Sequence, residues 1–183
     1  MRVTIFGSAR LAADTDEYCE AVRLGSILGS RGDVILSGGY GGLMEAVSRG
    51  ASEAEGQVIG VTMAPWSSRL QANRFLSEER AAESLFQRIE ALIESDALIA
   101  LSGGAGTLGE VALAWNLRQM ELMPHKPVIL VGPVWRAMLD AFRANLVVSN
   151  RDLDLLTVVD TVDEAVEALD RSGEPAAQGV WQG

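Results

Sequence analysis

Apolar positions along the chain alternate between two rhythms. Short, mainly apolar runs at Arg2–Phe6 (RVTIF), Asp33–Leu36, Gln57–Val61, Ala97–Leu101, Pro127–Val131 and Leu155–Val159 read as strands covered on both faces. Between them lie segments of helical spacing. Asp14 to Ser30 carries Tyr18, Val22, Leu24, Ile27 and Leu28 on one face, and Glu78 to Ser95 carries Ala82, Leu85, Phe86, Ile89, Leu92 and Ile93. Further helices are expected over 43–54, from an N-cap at Thr107 to Met120, over 134–146 and over 161–171. Asp14/Glu17, Thr107/Glu110 and Thr161/Glu164 have the spacing of capping boxes. Thr62 to Ser77 has no period and is long for a connection in a compact domain.

This alternation predicts an α/β fold: one doubly wound, Rossmann-like, mostly parallel sheet with helices on both faces. It assigns residues 1–171 to a single domain and 172–183, small and polar, to a loose tail. Ligands of such sheets bind beyond the carboxyl ends of the strands. Three strands end there in small-residue turns: Gly7-Ser8, Ser37 to Gly42, and Ser102 to Thr107. The third turn leads straight into a helix, whose free N–H groups and dipole suit a phosphate. Glycines at strand ends can also serve only to make tight turns, but three at one edge exceed what connection requires.

Composition narrows the chemistry. The chain has 183 residues, 48% of them hydrophobic and 22% charged, as in ordinary globular proteins. The formal net charge of −10 opposes binding to nucleic acid or an anionic membrane surface, which needs a basic field. No apolar run reaches the ~20 residues that span a bilayer, and the N-terminus enters a strand without a signal-peptide pattern. With one cysteine, Cys19, the expected location is the cytoplasm.

There are 14 arginines but a single lysine, Lys126, and a single histidine, His125. Both precede the 127–131 strand, at the wrong end of the sheet for a ligand. A P-loop, a pyridoxal-phosphate lysine, a Ser-His-Asp triad and a histidine metal site are therefore not expected, and neither a cofactor nor a metal is assigned. Gly104-Ala105-Gly106-Thr107-Leu108-Gly109 matches the dinucleotide fingerprint, yet the next strand ends Leu130-Val131-Gly132, without the carboxylate that would bind a ribose. Carboxylates and arginines near the glycine turns are what remain. Position alone leaves open whether Glu110 caps its helix or does chemistry, and whether Arg88 is more than a solvated helix-edge arginine.

Ser102-Gly103-Gly104-Ala105-Gly106-Thr107-Leu108-Gly109-Glu110 resembles the P-G-G-x-G-T-x-x-E signature of the Lonely Guy (LOG) family of nucleotide phosphoribohydrolases, long labelled "possible lysine decarboxylases". Ser37 to Met44 is similar to the family's earlier G-G-G-x-x-G-L-M turn, and Arg88 matches the arginine of its Arg-Lys pair. Serine stands at 102 for proline, Ile89 for the lysine, and Pro65 to Phe75 for the usual family segment. The resemblance covers about residues 3 to 148.

It implies a catalytic pair, Arg88 and Glu110, and a nucleotide held by Ser8, Gly39 and the 103–107 turn: Gly103, Gly104, Ala105, Gly106 and the Thr107 hydroxyl. The implied reaction cleaves a nucleoside 5′-monophosphate, AMP or an N6-modified AMP, to free base and ribose 5-phosphate. The implied assembly is a homodimer or higher homo-oligomer. Decarboxylation is not implied, since no lysine is placed for pyridoxal phosphate. Two alternatives stay open: a nucleotide-binding or sensor protein that does little chemistry, and NAD-type dinucleotide binding.

Overall fold

The computed structural model describes residues 1–173. Its centre is a seven-stranded sheet, parallel throughout. The strands are β1 (Arg2–Phe6), β2 (Val34–Ser37), β3 (Val58–Met63), β4 (Glu78–Ala82), β5 (Ala97–Ala100), β6 (Val128–Val131) and β7 (Thr157–Val159), in the spatial order β4-β3-β2-β1-β5-β6-β7. The chain winds one way from β1 to β4, then returns past β1 and winds the other way. The direction reverses between β1 and β5, paired from Val3↔Ala97 to Phe6↔Ala100, so the ligand crevice expected of doubly wound sheets opens beyond Phe6 and Ala100.

Helices α1 (Asp16–Ser30), α2 (Leu43–Glu53) and α7 (Val162–Gly173) cover one face. There Leu24, Leu28, Val47 and Leu169 pack on Val3, Ile5, Ile35 and Val58. The other face carries α3 (Leu85–Ile93), α4 (Ala105–Gln119), α5 (Pro133–Asn145) and the short α6 (Asn150–Leu153), whose Leu92, Val111, Trp135 and Leu153 pack on Phe6, Leu36, Ile59, Leu98 and Leu130. Burial on both faces explains why the strand sequences show little polar alternation.

Three expectations need correction. Residues 78–95 are not one helix. Glu78–Ala82 forms β4, in register with β3 from Ile59↔Glu78 to Met63↔Ala82, and the helix begins after Ser84, whose hydroxyl accepts from the Gln87 N–H at 3.2 Å. EERAA favours a helix intrinsically, but the open edge of β3 offers a complete hydrogen-bond ladder and outweighs that preference. Helix α1 is capped by Thr15, which accepts from the Tyr18 N–H, instead of by Asp14. Of the expected tail, Ser172 and Gly173 continue α7, and 174–183 lie outside the described residues. No helix of the described residues is long and apolar enough to cross a membrane.

Candidate functional site

The three small-residue turns meet at the reversal point. The Ser8 N–H donates to Ser102 O at 3.0 Å, and the Leu43 N–H donates to Ser8 O at 2.8 Å. Ser8 thus ties the turn after β1 to the turn after β5 and to the first residue of α2. Its hydroxyl accepts from the Arg10 N–H at 3.1 Å.

Helix α4 starts two residues before the expected cap. Gly104 is the N-cap, without a side-chain cap bond, and Thr107 lies inside the first turn. The Thr107/Glu110 capping box does not form. Thr107 is 4% exposed and packs beneath Gly103, where a Cβ would stand 2.1 Å from Thr107 Oγ1. Gly103, Gly104, Ala105 and Gly106 are exposed at the helix mouth. A Cβ on Gly104 or Gly106 would meet no other atom of the described residues within 4 Å, and neither has positive φ. Packing does not require glycine at these two positions, and its effect there is to keep the main-chain N–H groups approachable.

Because α4 starts early, Glu110 sits in its second turn, off the mouth. It faces α3, where the Arg88 Nη1–H donates to Glu110 Oε1 at 3.2 Å. Both side chains are enclosed, at 8% and 12% exposure. The Arg88 Nε–H donates to Val61 O at 2.8 Å, at the carboxyl end of β3. The third support is Gly38, where a Cβ would stand 2.0 Å from Arg88 Nη2, so the guanidinium rests directly on the main chain of the turn after β2. Burial pushes the Glu110 carboxyl above its ordinary value, and the Arg88 charge and hydrogen bond oppose that rise. Of the described groups, it is Arg88, and not the mouth of α4, that favours the ionised form of Glu110.

The structure thus brings Arg88, Glu110 and the 102–107 turn to one edge of the sheet. Gly39, at φ 76°, is buried against β3, where its Cβ would meet Thr62 Cγ2 at 2.8 Å. Its neighbour Gly38 is the residue that sequence reasoning missed. The paired glycines were visible, but which serves the turn and which makes room for an arginine depends on a helix far along the chain. Ile89 packs with the apolar cluster beneath α3. Lys126 lies at the opposite edge and donates to the carbonyls of Ile93 and Ser95 at the end of α3. Beyond the 102–107 turn, on the α1 and α7 side, a cavity of about 540 Å³ is lined by Leu43, Leu101, Ser102 and Val162. Asp16, Glu17, Glu20 and Asp160 also line it, so its field disfavours phosphate and leaves the exposed 103–106 backbone as the candidate anion site.

The SLOG cluster4 family model matches residues 1–166. The chain belongs to that family. Within it the Lonely Guy kinship read from the 102–110 motif holds. The SLOG chain is 31% identical over 157 residues to the cytokinin riboside 5′-monophosphate phosphoribohydrolase of Mycobacterium tuberculosis, a match covering 81% of this chain and 82% of the relative. It is 39% identical over 133 residues, 72% of its own length, to the probable cytokinin riboside 5′-monophosphate phosphoribohydrolase LOGL5 of Oryza sativa subsp. japonica. It spans about half, 54%, of that rice protein. Among solved structures, the molybdenum cofactor binding protein from the phototrophic bacterium Rippkaea orientalis superposes with a TM-score of 0.74 at 26% identity, over 93% of this chain and 95% of that one.

Proposed function

We propose that this chain hydrolyses the N-glycosidic bond of a purine nucleoside 5′-monophosphate, AMP or an N6-modified AMP, releasing the free base and ribose 5-phosphate. The observation that carries the reading is the enclosed Arg88–Glu110 pair beside an approachable helix mouth. The phosphoribohydrolase relatives support the same reaction class.

The chemistry follows from the charges. As the C1′–N bond breaks, its electron pair leaves with the base and positive charge builds on the sugar. The Glu110 carboxylate stabilises that charge and takes a proton from the water whose oxygen joins C1′; that proton passes on to the departing base nitrogen, which releases the neutral base and restores the carboxylate. The N–H groups of residues 103–106 hold the 5′-phosphate and so fix the sugar against the carboxylate. Arg88 keeps Glu110 ionised in spite of burial and offsets the ligand's negative charge. Ser8 holds the neighbouring turns in place, and Gly39 sets the floor of the turn after β2. The working unit is a homodimer formed through the α3/α4 face, where Leu85, Phe86, Met120 and Leu122 are exposed.

A second reading is a carrier or sensor that holds its ligand without turnover. The likeness to a molybdenum cofactor binding protein supports it, as does Ile89 in place of the family lysine. Chromatography of the protein incubated with AMP separates the two. Free adenine from wild type and none from Glu110→Gln, with AMP bound by both, supports the hydrolase. AMP binding with no adenine from wild type selects the carrier.

A further inference from the structure

The segment between the 3₁₀ turn at Ala64–Trp66 and β4 had no period in the sequence, yet it is tied to the site by one residue. The Asn73 main-chain N–H donates to Gly39 O at 2.8 Å. Its side-chain Nδ2–H donates to Tyr40 O at 3.1 Å and, more weakly, to Ser48 Oγ at 3.4 Å. Its Oδ1 accepts the Phe75 N–H at 3.1 Å, which turns the chain back toward β4. Four bonds of one asparagine therefore join α2, the turn after β2 and the approach to β4.

We propose that Asn73 is a positioning residue for the Arg88–Glu110 pair: it clamps the Gly38–Tyr40 turn on which the Arg88 guanidinium rests. The chain of contact is short. Asn73 holds the carbonyls of Gly39 and Tyr40, and Gly38 lies one peptide away. A Cβ on Gly38 would already overlap Arg88 Nη2, so the turn has no slack toward the arginine. Among the described residues the turn has two other hydrogen-bond ties, neither of which reaches those carbonyls: the Gly39 N–H donates to Ser37 Oγ, and the Tyr40 hydroxyl accepts the Met63 N–H. Removing the Asn73 amide frees the Tyr40 carbonyl. The turn then shifts toward or away from Arg88, and the 3.2 Å contact with Glu110 loosens. An asparagine suits this role because its amide donates to one backbone segment while its carbonyl accepts from another.

The kinetic part of this inference rests on the hydrolase reading, but the geometric part does not, and the test separates them. Arg88 is the charged group that faces Glu110 among the described residues, and it lowers the Glu110 titration. The ¹³C side-chain resonance of Glu110, assigned by its loss in Glu110→Gln, is titrated in wild type, Asn73→Ala, Arg88→Met and the double variant. Asn73→Ala is expected to raise the midpoint in the same direction as Arg88→Met, by a smaller amount, and to add nothing once Arg88 is gone. If adenine is released, its kcat falls by about 10-fold, short of the ~100-fold that a 1 Å misplacement can bring. Leu169→Ala, in the core under α7, lowers the melting temperature without moving the midpoint, so general loosening does not mimic the effect. If Asn73→Ala does not fold, Asn73→Ser replaces it, keeping an acceptor for the Phe75 N–H and losing the reach to Tyr40. An unchanged midpoint, or an equal rise in the Arg88→Met background, overturns the proposal. A wild type that releases no base overturns the hydrolase reading and leaves the titration to decide on Asn73.

Discussion

The Arg88 guanidinium occupies the space where a side chain on residue 38 would begin: a Cβ on Gly38 would lie 2.0 Å from Nη2 and 2.5 Å from Met44 Sδ. Glycine at 38 is thus a condition for the ion pair with Glu110. Gly38→Ala is expected to displace the arginine, because the guanidinium can recede only by giving up its Nε–H bond to Val61 O or its contact with Glu110. Overpacking should lower stability by about 1–3 kcal/mol. Loss of a buried charge-assisted bond worth about 1.5–3 kcal/mol should lower kcat/KM by about 10–150-fold. A variant with wild-type base release would show that Arg88 does not need this seat.

Burial raises the Glu110 titration and Arg88 restrains it, which gives the pH dependence a sign. The reaction proposed above needs the carboxylate, so the acid limb of kcat/KM should lie above the ordinary glutamate value of 4.5 and move higher in Arg88→Met. Stability runs the other way. A raised folded pKa means that the fold holds its proton more tightly than the unfolded chain does. That contribution is complete below 4.5 and is lost as pH rises through the folded value. Glu110→Gln cannot ionise and does not lose it. Its stability relative to wild type should rise over that interval and then level off, as read by urea unfolding at successive pH values. A difference that shrinks with rising pH would mean that Arg88 more than offsets the burial.

The proposed homodimer rests on the α3/α4 face. Phe86 is 81% exposed in the first turn of α3, and Leu122, just beyond α4, is 66% exposed. A groove of about 490 Å³ between them is lined by Leu113, Leu117 and Met123. Exposed apolar side chains gathered in this way mark an association surface. Sedimentation should find a species near twice the 19.5 kDa chain mass, and Phe86→Glu should return it to the monomer mass. A monomeric wild type would exclude the assembly.

Much of this was legible in the sequence, for identifiable reasons. Six of the seven strands were legible because strands buried on both faces read as bare apolar runs. The seventh, Glu78–Ala82, carries a helix-forming sequence and is a strand only because β3 ends the sheet without it. The convergence of the glycine turns at one edge of the sheet was legible, since turn chemistry is local and parallel strands end on the same side. The register of α4 was not legible. Thr107 looked like a cap, but a threonine that fits beneath Gly103 can also lie inside the helix, and only the three-dimensional turn decides. Arg88 and Glu110 were paired only through the family resemblance; position alone did not join them, because their contact, 22 residues apart, depends on how α3 and α4 pack. Asn73 gave no signal, because its partners are main-chain atoms of a distant turn.

The helix mouth offers the sharpest separation of stability from function. Gly106 lies in the first turn of α4 with negative φ and open space around its Cα among the described residues. An alanine fits there without contact and removes freedom from the unfolded chain. Gly106→Ala should therefore stabilise the fold by about 0.4–1 kcal/mol, or a few degrees at most in melting temperature. The same methyl group stands over the N–H groups that are proposed to hold phosphate. AMP should bind more weakly, with KM raised and kcat less affected, because the Arg88–Glu110 pair lies a turn away on the buried side of the helix. Calorimetry of AMP binding beside thermal melts reads both effects on one sample. A stabilised variant that binds AMP as well as wild type does would remove the 103–106 backbone from the ligand site, since nothing in the packing of the described residues accounts for glycine there.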